Sequence, residues 1–145
     1  MTETLIIGMD GHASGERALA YGEHMASLIK DCQLSLVYVI EWSPYSFQTA
    51  EENEVRHKRR EEEISVVMER VINPAVEGLK ATGIKATGVV RHGDVADTLK
   101  TVSTEEGASH IIVGRSSDGG FTKRIFGSST SNLVMSADVP VTVVK

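Results

Sequence analysis

Five apolar runs divide this sequence, and each pair is separated by enough chain for one helix. Leu5-Ile6-Ile7-Gly8-Met9, Leu34 to Ile40, His110 to Val113 and Val139 to Val144 are almost unbroken in hydrophobicity, and Lys85 to Arg91 is a weaker fifth. Strands that face water on one side alternate apolar and polar residues. Unbroken runs belong to strands buried on both faces, which is the condition of a parallel sheet covered by helices. The intervening segments carry helical stripes. Ala18, Tyr21, Gly22, Met25 and Ile29 make the first, and Ile64, Val67, Met68, Val71, Ile72, Ala75 and Leu79 make the second. Val95, Leu99 and Val102 form a third, shorter stripe. The order is β-α-β-α-β-α-β-α-β, with connections suited to right-handed crossovers.

Local signals set the expected boundaries. Ser14 is the expected N-cap of the first helix, with Glu16 in its first turn. Pro74 is expected to kink the long second helix or split it in two. The charged stretch Glu54 to Glu63 ahead of it reads as a solvated extension, its basic cluster offset by three glutamates. Gly83 stops that helix, His92-Gly93 turns the chain, Asp94 caps the next helix and Gly107 ends it. A last helix is expected from Gly127 to Ala137, and the third strand is expected at a sheet edge. The fold class that follows is α/β: a doubly wound five-stranded parallel sheet, order 3-2-1-4-5, Rossmann-like, with helices on both faces and residues 1–145 in a single domain. In that order the chain reverses direction between strands one and four, and ligands bind where the loops diverge at their C-terminal ends.

Two segments emerge there. One is Asp10-Gly11-His12. The other runs from Gly114 to Ser131 and is rich in glycine and serine, with Lys123 and Arg124 adjacent. A strand end, a flexible polar loop and a glycine-serine helix start offer free N–H groups and a positive dipole end to an anion. An ordinary βα connection has the same outline.

Composition narrows the partners. A net charge of -5 disfavours nucleic acid, whose phosphates require a basic face. No apolar stretch is long enough to cross a bilayer, and the N-terminus lacks the basic start of a signal peptide, so no membrane insertion and a cytoplasmic location are expected. Cys32, the single cysteine, reads as a small buried hydrophobe. Residues 41–53, with Trp42, Pro44, Tyr45 and Phe47, show no period and read as a loop capping the sheet edge.

The opening strand through Met9-Asp10-Gly11 and the closing VGRSS and GSSTSNLVMSADVPVTVVK resemble the universal stress protein family along the whole chain. ATP-binding members of that family carry Gly, two residues, Gly, nine residues, then Gly and Ser or Thr. Gly114 matches the first glycine, and Gly127 with Ser128 matches the last pair. Ser117 stands in place of the middle glycine, with Gly119 and Gly120 close by to supply flexibility. The resemblance implies that Asp10 borders the ribose and phosphates and that Gly8 and Met9 line the pocket floor. It implies that Val39 offers backbone groups to the adenine edge and that Val113 and Gly114 lie beside the ribose. Ser117, Gly127, Ser128 and Ser129 would surround the phosphates. ATP or AMP is the implied ligand; if Mg²⁺ accompanies the nucleotide, Asp10 is the one candidate acid to hold it. His12 stands where the family often has serine and reads as a solvated loop side chain. The resemblance also implies a homodimer through the C-terminal strand, whose β-branched residues Val139 to Val144 leave an uncharged edge.

Two functions compete. The first is a nucleotide-binding regulatory module with at most slow ATP hydrolysis; the second is a nucleotide-free dimeric stress protein acting through protein contacts, which the serine at 117 favours. No dedicated enzyme is indicated, since the sequence has no GxxxxGK phosphate loop, HExxH, GxSxG or GxGxxG motif, and no catalytic residue is assigned. A receiver-like phosphorylation switch would need paired acids after the first strand, an Asp ending the third and a Lys ending the fifth. Only Asp10 follows the first, and Arg91-His92-Gly93 ends the third.

Overall fold

The computed structural model describes residues 2–41, 50–115 and 121–145, without the side chains of residues 50, 52, 53, 56 and 121–128. Its elements are β1 (Glu3–Met9), α1 (Ala13–Leu28), β2 (Cys32–Glu41), α2 (Ala50–Val67), a π-helical turn (Met68–Ile72), α3 (Asn73–Ala81), β3 (Lys85–Gly93), α4 (Val95–Glu106), β4 (His110–Gly114), α5 (Phe121–Ser136) and β5 (Val141–Val144). The five strands form one parallel sheet in the order β3-β2-β1-β4-β5, as the alternation predicts, with β3 at an edge.

Burial follows the period of two along each strand. Leu5, Ile7, Met9, Leu34 and Leu36 point to one face and pack with Ala18, Ile72, Val76 and Leu79. Ile6, Val37, Ile111 and Val113 point to the other and pack with Ala96, Leu99, Val102 and Leu133. Both faces of β1 are therefore closed, which explains why its sequence shows no polar alternation.

Pro74 does break the long helix. The Asn73 N–H reaches back five residues to the Met68 carbonyl, so the turn before the proline is wound wide. Proline has no N–H, and in a regular helix its ring collides with the carbonyl four residues earlier; the π turn relieves that collision. Ile72, wholly buried, ends this turn against Gly88 of β3, where an added Cβ would fall on the isoleucine. Asp94 caps α4 by accepting a hydrogen bond from the Asp97 N–H at 3.0 Å, and Gly107 closes it in the left-handed conformation at φ 62°.

Four expectations need correction. The N-cap of α1 is His12, not Ser14, because the Ser14 hydroxyl donates to Asp10 instead. Tyr21 lies off the buried side of α1 and is exposed, whereas Ser14, Gly15, Ala18 and Gly22 are buried. His92 and Gly93 continue β3 opposite Ile40 and Glu41 of β2. Last, α5 begins at Phe121, six residues before Gly127. Phe121 to Phe126 contains neither Gly nor Pro, and once a helix is nucleated each further residue adds a hydrogen bond, so it runs through the glycine. The segment 42–49 with Trp42 lies outside the described residues.

Candidate functional site

The strand ladders part at the C-terminal edge of the sheet. β1 pairs with β4 only as far as Ile7 and Ile112, while its pairing with β2 continues to Met9 and Tyr38. The divergence opens a cavity of about 640 Å³, within the range of small-molecule sites. Among the described residues its walls are Gly8, Met9 and Asp10 of β1 and the β1–α1 turn, Val37 to Glu41 of β2, and Val113 of β4. Val95 and Leu99 of α4 close one side, together with Ser129, Thr130 and Leu133 of α5. Arg59, Glu62, Glu63, Val66 and Val67 of α2 form the outer wall.

Six of the sequence-derived site residues meet here: Gly8, Met9, Asp10, Val39, Val113 and Ser129 all line the cavity. A Cβ added to Gly8 would stand 3.0 Å from Val113 Cγ1 and 3.7 Å from Leu99 Cδ1, so the missing side chain keeps the floor low. Gly114 does not line the cavity. It is buried against the start of α1, where a Cβ would run into the Ser14 carbonyl oxygen, so this glycine serves close packing of β4 on the helix. Gly127 and Ser128 lie inside α5, and their backbone N–H groups are not at a helix start. Ser117 lies outside the described residues.

Asp10 is engaged by its own chain. One carboxylate oxygen accepts the His12 N–H at 2.8 Å and the Gly15 N–H at 3.0 Å; the other accepts the Ser14 hydroxyl. These donors belong to the first turn of α1, whose N–H groups have no partners within the helix, so Asp10 satisfies them from the preceding strand. Gly15 is required beside it, since a Cβ there would collide with that carboxylate. Among the described residues no three His, Cys, Asp or Glu side chains come together as a metal-holding set. With both oxygens turned to α1, Asp10 does not fit the expected role of a Mg²⁺ ligand.

Across the crevice, Arg17 of α1 donates from Nη2 to the Arg115 carbonyl at 2.7 Å, and the Arg115 N–H donates to the Val144 carbonyl at 2.6 Å. The segments near residues 10 and 114 are thereby held side by side, as the sheet order predicts. Burial, and next the charge of Asp10, push the Tyr38 phenol above its ordinary value, so the hydroxyl stays protonated and can donate. It stands over the β1–α1 turn, where a Cβ on Gly11 would lie 3.6 Å from it.

The sequence reading missed the outer wall. Arg59, Glu62 and Glu63 sit in a run of charges that looks fully solvated, and only the pair Val66-Val67 hinted that this part of the helix faces something apolar. Glu63 reaches His92 of β3, Oε2 to Nε2 at 3.0 Å, which draws α2 over the end of the sheet.

A family model described as the universal stress protein family matches residues 1–145. No curated protein matches the sequence. Among solved structures, the universal stress protein UspA from Lactobacillus plantarum superposes with a TM-score of 0.79 at 16% identity, over 99% of this chain and 97% of that one. A universal stress protein in complex with cAMP superposes with a TM-score of 0.66 at 18% identity, over 99% and 96% of the two chains. An Arabidopsis thaliana family member with AMP bound gives 0.65 at 14% identity, over 99% and 91%.

Proposed function

The chain belongs to the universal stress protein family, and from that membership we propose that it is a nucleotide-binding regulatory module whose cavity takes an adenine nucleotide, ATP or AMP. The observation that carries this reading is the convergence of Gly8, Met9, Asp10, Val39, Val113 and Ser129 on one cavity at the point where β1 and β4 part. Fold relatives hold cAMP or AMP. The aliphatic walls formed by Val39, Leu99 and Val113 suit the faces of a planar base, and the backbone of β2 beyond Tyr38, where its ladder with β1 ends, suits its edge. Asp10 acts by fixing the start of α1 against β1, which sets the shape of the floor.

The test is direct. Protein purified under native conditions is heat-denatured, and the supernatant is examined for adenine absorbance; the nucleotide-free protein is then melted with and without AMP or ATP. Ligand at a hundred times its dissociation constant adds about 2.7 kcal/mol of stability, a shift readily measured. An empty supernatant together with an unmoved melting temperature ends the nucleotide reading. Ser117 and the inclusion of Gly127 within α5 favour a second reading, a nucleotide-free protein acting through contacts with other proteins. That reading gains if the melt is flat.

A homodimer through β5 forms part of the proposal. β5 is the outermost strand on its side of the sheet, Val143 is 38% exposed on it, and Val134 and Met135 of the adjoining α5 are exposed as well. Pairing two such edges satisfies their unpaired N–H and C=O groups and covers these apolar side chains. Sedimentation of a stable monomer at micromolar concentration removes the dimer without touching the nucleotide assignment.

A further inference from the structure

The outer wall of the cavity differs from the others in how it is held. Every described side chain of α2 is half-buried or exposed; none is buried. Immediately beyond it the π turn and α3 are anchored by Ile72, Val76 and Leu79, all buried in the core. Ile72 seats on Gly88 so closely that no Cβ fits between them. The chain thus passes from a fixed segment to a loosely packed one across five residues in which the regular hydrogen-bond ladder is already interrupted. Wide turns of this kind concentrate at functional positions and are among the places where helices bend. Val66 is 46% exposed while lining the cavity, so the wall is not packed shut against the sheet. One polar link from this wall to the sheet is the Glu63–His92 contact at 3.0 Å.

We infer that α2, from Arg59 to Val67, is an arm hinged at Met68–Ile72 that opens to admit ligand to the cavity and is latched closed by Glu63 on His92. The inference deepens the nucleotide assignment and rests on it for the identity of the ligand, but the hinge itself is a property of the free protein. Opening moves Val66, Val67, Glu62 and Glu63 away from the ends of β2 and β3 while Ile72 stays in place. Closing brings Val66 and Val67 onto whatever occupies the space above Val39 and Ile40. Segments with few buried contacts open at lower free energy than the core they adjoin, and ligand that bridges arm and core opposes that opening.

Amide hydrogen exchange on the intact chain tests this. In free protein the amides of residues 59–67 are expected to exchange at least tenfold faster than those of Val76 to Ala81 and of β2, and saturating AMP should slow the first group selectively. Glu63→Ala should speed exchange in the arm further, leave α3 unchanged, and raise the dissociation rate of AMP severalfold. If arm and α3 exchange at one common rate in the free protein, there is no hinge and the inference fails. If Glu63→Ala speeds α3 and β2 as much as the arm, Glu63 supports the whole fold and the latch fails. If AMP does not bind at all, the nucleotide assignment falls, while the exchange contrast in free protein still decides the hinge.

Discussion

Glycines on the two sides of this sheet do opposite work. On the side covered by α1 and α3 they let elements touch: Gly22 of α1 rests on Ile7, Gly88 of β3 rests on Ile72, and a Cβ at either would overlap a wholly buried isoleucine. On the side covered by α4 and α5, a Cβ on Gly8 of β1 would stand 3.0 Å from Val113 Cγ1, close but without such overlap, and the glycine itself lines a cavity. The same residue type closes one face and opens the other. What distinguishes them is not the strand but what the opposing helix brings: a bulky side chain, or distance.

Substitutions at these glycines break or sharpen that contrast. Gly88→Val has the largest expected effect, a loss of about 3 kcal/mol or more in denaturant unfolding, because overpacking against Ile72 must displace β3 or the π turn. The folded fraction should still bind nucleotide. A Gly88→Val protein of unchanged stability would mean that the α3 side is not close-packed. Gly8→Val has a smaller effect on stability, a loss of about 1–2 kcal/mol because Val113 must give way by a few tenths of an ångström, while AMP affinity falls at least tenfold. Unaltered AMP titration in a folded Gly8→Val protein places the ligand elsewhere.

Asp10→Ala comes next, with about 1–3 kcal/mol lost because the His12 and Gly15 N–H groups and the Ser14 hydroxyl lose their acceptor. Asp10→Asn should weaken nucleotide binding equally with and without magnesium, as befits an anchor for α1. A loss confined to the magnesium-containing titration would restore Asp10 as a metal ligand.

The smallest effect concerns pH. Burial lowers the pKa of His110, which contacts Thr142 of β5 at 2.6 Å. The unfolded chain takes up its proton first on acidification, so the stability this histidine contributes is present above about pH 6.5 and is lost as pH falls toward its lower folded value. His110→Gln should flatten that part of the stability profile. An unchanged slope there assigns the acid sensitivity to other groups.

How legible was all this in the residues? The sheet was legible because strands buried on both faces leave no choice of pattern; connection length and handedness made it parallel and doubly wound, while the order itself entered by taking strands one and four as neighbours, which the structure bears out. Pro74 announced its own break, although not that a π turn would accommodate it. The inner cavity wall was legible because the ends of β1 and β4 must face one another once the order is known. The outer wall was not: Arg59 and Glu62 touch the cavity from a rim open to water, so nothing in the local sequence separates them from ordinary surface charges. The start of α5 was misplaced because a glycine-serine pair is a good helix start only if the preceding residues disfavour helix, and Phe121 to Phe126 do not. Gly114 matched a ligand motif, yet in the structure its absent side chain is accounted for by Ser14.

The wide turn at Met68–Ile72 has a consequence for how such a chain can vary. It amounts to one residue more than a regular helix would use. The turn absorbs that residue within one winding, so deleting a single residue there would restore the regular helix and leave the facing of everything before it nearly unchanged. Arg59, Glu62 and Val66 would still face the cavity, with no change to any residue of the sheet. A change of length confined to this turn can thus be taken up locally, sparing the whole panel of ligand-facing side chains on the helix ahead of it.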